Sequence, residues 1–398
     1  MTIDHDILTM CNGCGLCESV CSGVKMRCRE DGFYFPHAES VSQDDIRLIR
    51  RICPGLNVIG KKGGNHSIWG DVKKACNAWA SDADIRHSSS SGGVTTALAI
   101  YLLESGKVDA ILHVGTDDND DYRSNHLCVS RSLGDVLKRN ASRYAPALVF
   151  NHIKEILDSD SCTYAFIGKP CDIAGMQNLV NTFPQYKGRI AYYLAIFCAG
   201  IPSFNATAQA IASLGHEAPV ASVRYRGDGW PGYFTVTYTD GTRRQMTYND
   251  GWGMILGKQL AFRCKVCPDS IGLLADIASG DAWNTRNGYP DFTEGEGRNF
   301  CFVRTLQGEE LMREAAEAGY INMEQLDIDE VSHMQPYQHR RRKEAGWRIA
   351  AACLMSGFKV RFKRTGWVRN ALTTNPLKGL RILLGSMKRY KRQQQLQK

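Results

Sequence analysis

The chain has 398 residues, of which 43% are apolar and 23% charged, a composition that excludes a disordered, collagenous or coiled-coil protein and leaves room for two or three cores. Its net charge of +8 is unevenly spread. From Pro336 onward seventeen Lys or Arg face Glu344 alone, a balance of +16 that leaves the rest of the chain at −8 and argues against a nucleic-acid-binding body.

In chain order, the start MTIDHDILTMC lacks the basic and apolar stretches of a secretion signal, so a cytoplasmic protein is expected. The 15 cysteines then sit in a reducing compartment, where clustered thiols bind metal or do redox chemistry more often than they form disulfides. Residues 1–62 hold six cysteines and few apolar side chains, too few to build a core alone. Ser42, followed by Asp45 and then Ile46, Ile49 and Ile52, predicts a capped short helix ending at Cys53-Pro54. Lys61 to Asn65 reads as a linker. From about Asp71 the texture becomes α/β: a helix after Gly93, then buried strands at Ala110 to Gly115, Tyr164 to Gly168 and Ala191 to Phe197. Val223 to Tyr238 alternates around Gly229-Trp230-Pro231-Gly232 and reads as an antiparallel excursion. The longest apolar run, Ile190 to Ile201, is too short to span a bilayer.

Cys11, Cys14, Cys17 and Cys21 have the ferredoxin spacing C-x2-C-x2-C-x3-C. Gly13 and Gly15 allow the tight turn that aims the first three thiolates at one cubane, and Cys53-Pro54 supplies the remote fourth ligand such clusters use. A zinc site, which pairs two knuckles, fits this run poorly. Cys21 lacks a following proline and has no second run to serve, so it is expected to stay a buried thiol; Cys28 stands alone. A dispersed group follows. Cys171 and Cys198 each come just after a predicted strand, where functional groups collect in α/β sheets, and Cys264 and Cys267 form a C-x2-C knuckle. By spacing alone that knuckle also fits structural zinc or a redox pair. Cys76, Cys128, Cys162, Cys301 and Cys353 read as small core residues. His87 precedes a serine run that leads through Gly92-Gly93 into a helix; this turn is either a phosphate-binding helix start or a flexible cap.

The ordered series SSGGV (Ser90 to Val94), SRYAP (Ser142 to Pro146), GKPCD (Gly168 to Asp172), FCAG (Phe197 to Gly200), YRGDGWPG (Tyr225 to Gly232), CKVCPD (Cys264 to Asp269) and ADIASGDAW (Ala275 to Trp283) resembles the coenzyme F-420 hydrogenase/dehydrogenase β-subunit family over residues 71 to 300. That family includes 7-hydroxymethyl chlorophyll a reductase and proteins of polysaccharide gene clusters. The resemblance implies an α/β (α+β) body with a mixed sheet binding FAD and a 4Fe-4S cluster. Residues 71–155 and 156–335 form the two parts of that body, a small ferredoxin-like 4Fe-4S domain (1–62) precedes it, and a basic helical tail (336–398) follows. Position by position, Cys171, Cys198, Cys264 and Cys267 match the body-cluster cysteines. Ser91, Gly92 and Gly93 match a glycine turn near the flavin, and Arg143, Tyr144 and Lys169 match motifs of the same pocket. Asp172 departs from the pattern, where Gln is more usual.

The implied protein is an iron–sulfur flavoenzyme. It takes electrons from a ferredoxin-type carrier or a deazaflavin and passes them through two 4Fe-4S clusters and FAD to a small-molecule substrate, with polysaccharide biosynthesis as one setting. The alternative is a non-catalytic electron-transfer subunit of a larger hydrogenase or dehydrogenase. A zinc-stabilised binding protein would leave the glycine turn unexplained. No catalytic acid or base is assigned; Asp281, Trp283, Arg226 and Trp230 read equally as site lining or ordinary packing. In the tail, Trp347, Leu354, Phe358, Phe362, Trp367, Leu380 and Leu383 lie among the cations, so peripheral contact with the inner membrane face is expected. Its rivals are folding back on the acidic body, nucleic-acid binding and recruitment of an acidic electron donor.

Overall fold

The computed structural model describes residues 3–61, 68–117, 120–357 and 360–395. Lys62 to Asn65 of the expected linker and Phe358 of the tail lie outside the described residues.

The N-terminal segment consists of α1 (His5–Thr9), α2 (Leu16–Val20), the hairpin β1 (Lys25–Cys28) and β2 (Tyr34–His37), α3 (Gln43–Ile52) and β3 (Asn57–Ile59). Helix α3 begins where the sequence places it, because Asp45 N–H donates to Ser42 Oγ at 3.0 Å and Ser42 N–H donates back to Asp45 Oδ2 at 3.1 Å. Ile46, Ile49 and Ile52 face inward and join the same apolar cluster as Phe150, Phe166 and Ile173 of the body.

The body runs β4 (Lys74–Ala80), α4 (Ala83–Ser88), α5 (Val94–Glu104), β5 (Ala110–Gly115), β6 (His126–Ser130), α6 (Leu133–Lys138), α7 (Ile153–Ser159), β7 (Tyr164–Gly168), α8 (Pro170–Thr182), β8 (Ile190–Ile196), α9 (Phe204–Ala212), β9 (Val220–Arg224), β10 (Tyr233–Tyr238), β11 (Arg243–Thr247), α10 (Phe262–Lys265), β12 (Ile277–Asp281), the small hairpin β13 (Thr285–Arg286) and β14 (Tyr289–Pro290), β15 (Asn299–Val303), α11 (Leu306–Glu317) and β16 (Ile321–Gln325). Among the described residues, eight strands form a mixed sheet in the order β16-β4-β15-β12-β8-β7-β5-β6. The central strands β12, β8, β7 and β5 are mutually parallel, so their carboxyl ends open on one edge. Successive residues bury on opposite faces: Leu112 and Phe166 pack with α8 and the N-terminal segment, while Ile111 and Ala165 pack with α5 and α11. Both faces are covered, which is why these strands read as continuous apolar runs. The expected excursion is a separate antiparallel sheet, β11-β10-β9, whose inner side packs on Ala206 and Ala210 of α9.

The tail differs most from expectation. It forms α12 (Val331–Met334), α13 (Pro336–Ser356), β17 (Arg361–Lys363), α14 (Trp367–Leu372) and α15 (Pro376–Gln395), and it is built into the molecule. Strand β17 pairs in parallel with β3, and α13 buries Arg341, Arg342, Ala345 and Ile349. Phe362 is buried, Trp347, Trp367 and Leu383 are half-buried, and Leu354 and Leu380 remain exposed. The physical reason is hydrogen bonding: Arg342 donates from Nε to Ile68 O and from a terminal nitrogen to Thr365 O, at 2.9 and 2.8 Å, so part of the charge expected to meet an anionic surface fastens loops instead. No described helix is long and apolar enough to cross a membrane.

Candidate functional site

The first cysteine set forms around the turn between α1 and α2, where Gly13 and Gly15 take φ of 71° and 82°. Cys53 reaches it from the carboxyl end of α3. Burial raises all four thiols, Cys11 to about 12, and repulsion from neighbouring sulfurs adds to the rise at Cys11, Cys14 and Cys17. Asn12 Nδ2 beside them is buried without a partner. Cys21 is close to Cys17, yet its own thiol lies against the Asp45 carboxylate, and burial with that charge pushes it to about 12. Cys28 is exposed on β1.

The second set is assembled by sheet order. Strands β7 and β8 are neighbours, so Cys171, in the first turn of α8, and Cys198, two residues beyond β8, meet at adjacent strand ends. Cys264 in α10 and Cys267 complete the group; burial raises Cys171, Cys198 and Cys264, and mutual repulsion contributes at each. Ile201 N–H donates to Cys264 Sγ at 3.3 Å. Among the described residues, the one group of three or more His, Cys, Asp or Glu ligand atoms within 4.8 Å of one another is Asp117, His126 and Cys128. Neither cysteine set therefore closes to the sulfur spacing of about 3.8 Å that a tetrahedral Zn–S length of about 2.3 Å requires. Thiols grouped so that they repel one another as thiolates suit a cationic group that deprotonates its ligands.

Charged side chains that the sequence did not single out connect these groups. Arg263 is buried and donates to Gly55 O and Pro54 O at 2.8 and 2.9 Å, tying the loop after Cys53 to the helix that carries Cys264. Arg341 donates to Ala199 O at 2.7 Å and to Cys264 O. Both Arg263 and Arg341 are specified by contacts distant in sequence, and no spacing rule reveals them. Lys169 Nζ donates to Asp172 Oδ2 at 2.7 Å; burial opposes its charge, but Asp172 and the Cys171 thiol outweigh burial and hold the ammonium above its ordinary range.

A cavity of about 300 Å³ opens at the carboxyl ends of β5, β7, β8 and β12 and is lined by Ser91, Gly93, Arg143, Tyr144, Lys169 and Cys198. Five of the six expected cofactor residues thus line one cavity with a cysteine of the second set. Gly92 does not line it: its backbone packs on the sheet, and a Cβ there would meet Asn299 N at 2.7 Å and Ala78 O at 3.0 Å. The need for glycine at 92 is therefore set by packing rather than by a ligand. Gly93, with φ of 75°, opens α5 into the cavity. Ser89 Oγ and Arg139 Nε in the wall are buried without partners, which suits a polar or phosphate-bearing ligand. Arg226, whose backbone carbonyl accepts from Ser90 Oγ at 3.3 Å, forms a two-pronged ion pair with Asp281 at 2.8 and 2.7 Å and lies 4.8 Å from the rings of Tyr248 and Trp283. Trp230 is stacked 4.7 Å from Trp283 with its indole N–H on Asp281. Of the four residues read as lining or packing, Arg226, Asp281 and Trp283 line the cavity.

Residues 75–154 match the family model for the N-terminal part, and residues 162–329 that for the C-terminal part, of the coenzyme F420 hydrogenase/dehydrogenase beta subunit. An uncharacterised protein of Methanocaldococcus jannaschii is 23% identical over 366 residues, 84% of this chain and 94% of that protein. The F420-dependent formate dehydrogenase 1 subunit beta of Methanococcus maripaludis is 29% identical over 248 residues, and the match spans 61% of this chain and 59% of that subunit. A chain of the F420-reducing NiFe hydrogenase complex from Methanosarcina barkeri has the same fold, with a TM-score of 0.55 at 20% identity over 73% of this chain and 94% of its own.

Proposed function

The chain belongs to the coenzyme F420 hydrogenase/dehydrogenase beta-subunit family, and from this premise we propose an iron–sulfur flavoprotein that relays electrons as a subunit of a larger oxidoreductase. The observation that carries the reading is the pair of cysteine sets, buried at Cys14 and Cys264 and half-buried elsewhere, joined through Arg263, with Cys198 of the second set lining the cavity. The subunit role is supported by relatives whose names are those of parts of formate dehydrogenase and hydrogenase complexes.

In this reading Cys11, Cys14, Cys17 and Cys53 hold one 4Fe-4S cluster, and Cys171, Cys198, Cys264 and Cys267 hold a second. FAD takes the cavity, its pyrophosphate near Ser91, Gly93 and the start of α5. A bound flavin exchanges single electrons on one side and pairs on the other. The chain supplies the surroundings. Arg263 and Arg341 set positive charge beside the cysteine loops, and Lys169 does the same between the second set and the cavity, which favours thiolate. The Arg226–Asp281 pair fixes part of the cavity lining. The carrier that exchanges electrons with the first set is a ferredoxin-type protein or a deazaflavin of the kind in the relatives' names. A second reading, a reductase acting alone on a small molecule, is favoured by the aromatic wall of Tyr248, Trp252 and Trp283, which would stack a substrate over the flavin.

Strictly anaerobic purification followed by iron, sulfide and flavin analysis tests the assignment: iron and sulfide for two 4Fe-4S clusters and one FAD are expected, and stoichiometric zinc without iron would overturn it. Cys53→Ser should remove the first cluster and Cys21→Ser should leave both. Native mass measurement of the chain from its source cell separates the two readings, a stable multi-subunit complex favouring the relay subunit and a lone chain the reductase.

A further inference from the structure

Helix α15 has two unlike sides. At 3.6 residues per turn, Gly379, Ser386 and Tyr390 share the side that is buried, where Gly379 meets the Trp347 ring of α13 and Tyr390 packs edge-on to Phe262 at 5.6 Å. Leu377, Leu380, Arg381, Leu384 and Lys388 share the opposite side, and all five are exposed. Leu377 is 72% exposed, Leu380 50% and Leu384 57%. Single exposed leucines are ordinary, but three on successive turns with cations between them are not. Leu354 of α13 and Val368 and Leu372 of α14, elements packed in the same assembly, are exposed as well. The one acid after Pro336, Glu344, is buried and ion-paired to Arg348 at 2.5 Å and Lys378 at 3.6 Å. The described exposed surface of these helices therefore carries no acidic side chain.

We propose that this leucine-and-cation face docks on an anionic lipid bilayer, with α15 lying in the interface plane. Charge complementarity selects a negative surface, and the leucines select lipid among negative surfaces, because a phosphate backbone offers charge but no apolar depth. Arg341 and Arg342, which the fold consumes, are buried and play no part; Arg381 and Lys388 lie exposed on the leucine face, where they meet headgroups. The buried side of α15 rests on Phe262, two residues before Cys264, so the docked face backs directly onto the second cysteine set.

Co-sedimentation of the full, anaerobically purified chain with vesicles tests this. Pelleting is expected with phosphatidylglycerol-containing vesicles, not with phosphatidylcholine alone, and should weaken as salt rises. Replacing Leu377, Leu380 and Leu384 together by Ser should weaken it about tenfold or more, and Arg381→Gln with Lys388→Gln should do so by a similar factor. All five side chains are exposed, so circular dichroism and thermal melting should be unchanged in both variants. Absence of vesicle binding overturns the proposal. So does equal binding of the leucine variant, which would mark the face as a general polyanion or acidic-protein contact.

Discussion

Lys169 and Asp172 form an ion pair where water is scarce: Asp172 is fully buried, and its Oδ2 accepts both the backbone N–H and the ammonium of Lys169, at 2.9 and 2.7 Å. Removing one partner strands the other charge. Asp172→Ala should cost about 3–5 kcal/mol in urea unfolding, while Lys169→Met with Asp172→Leu should recover most of the loss. His113 offers a second test. It is buried on β5 with Nε2 2.8 Å from Ser130 Oγ, and burial, with Arg139 adding, lowers its pKa to about 4. The unfolded chain, with His near 6.5, takes up the proton first. The stabilisation from a neutral His113 is thus complete above about pH 6.5 and is lost as pH falls toward 4, about 3 kcal/mol in all. A His113→Gln variant should show a flatter stability curve in that window; an unchanged slope would mean that His113 is not the group responsible. The pairing of Lys169 with Asp172 was not legible in the sequence, since it depends on the buried first turn of α8 that brings the two side chains together.

At the scale of elements, local signals proved readable and distant ones did not. The Ser42–Asp45 box, the start of α5 after Gly93 and the apolar strands at 110–115 and 164–168 depend on neighbours within a few residues, and they appear where the sequence puts them. The strand expected at 191–197 is displaced by one residue. The tail is helical as expected, but the docking of α13 was opaque, because Arg341 and Arg342 satisfy carbonyls at Ala199, Ile68 and Pro268, partners that no periodicity announces. The α13–α15 crossing rests on Gly379, where a Cβ would lie 2.3 Å from the Trp347 ring. Gly379→Val should therefore cost about 1–3 kcal/mol and loosen α15. Limited trypsin digestion should then cut within residues 381–392 faster than in the parent chain, with the body left intact; an unchanged cleavage rate would show that the crossing tolerates the extra bulk.

Across the whole molecule, one apolar cluster runs from Ile7 and Ile49 through Phe150 and Phe166 to Ile349 and Tyr390, so neither end of the chain has an interior of its own. Composition divides the chain but does not reveal that the two apolar-poor ends share the core of the body. If the proposed clusters are bound, their oxidative loss should accordingly lower the melting temperature of the entire chain in a single calorimetric transition. A separate early transition for residues 3–61 would contradict this. Deleting residues 1–62 should leave the remainder insoluble on expression, since it exposes the surface that Ile46, Ile49 and Ile52 now cover.

The parallel pairing of β3 with β17 carries a consequence for vectorial synthesis. β3 leaves the ribosome some three hundred residues before its partner, a delay of ~15–60 s at cellular elongation rates of about 5–20 residues per second. Throughout that interval the Cys53 loop lacks its neighbouring strand, and the Cys264 loop lacks Arg341. The nascent protein thus passes through a stage in which both cysteine loops lack contacts that only the last sixty residues supply.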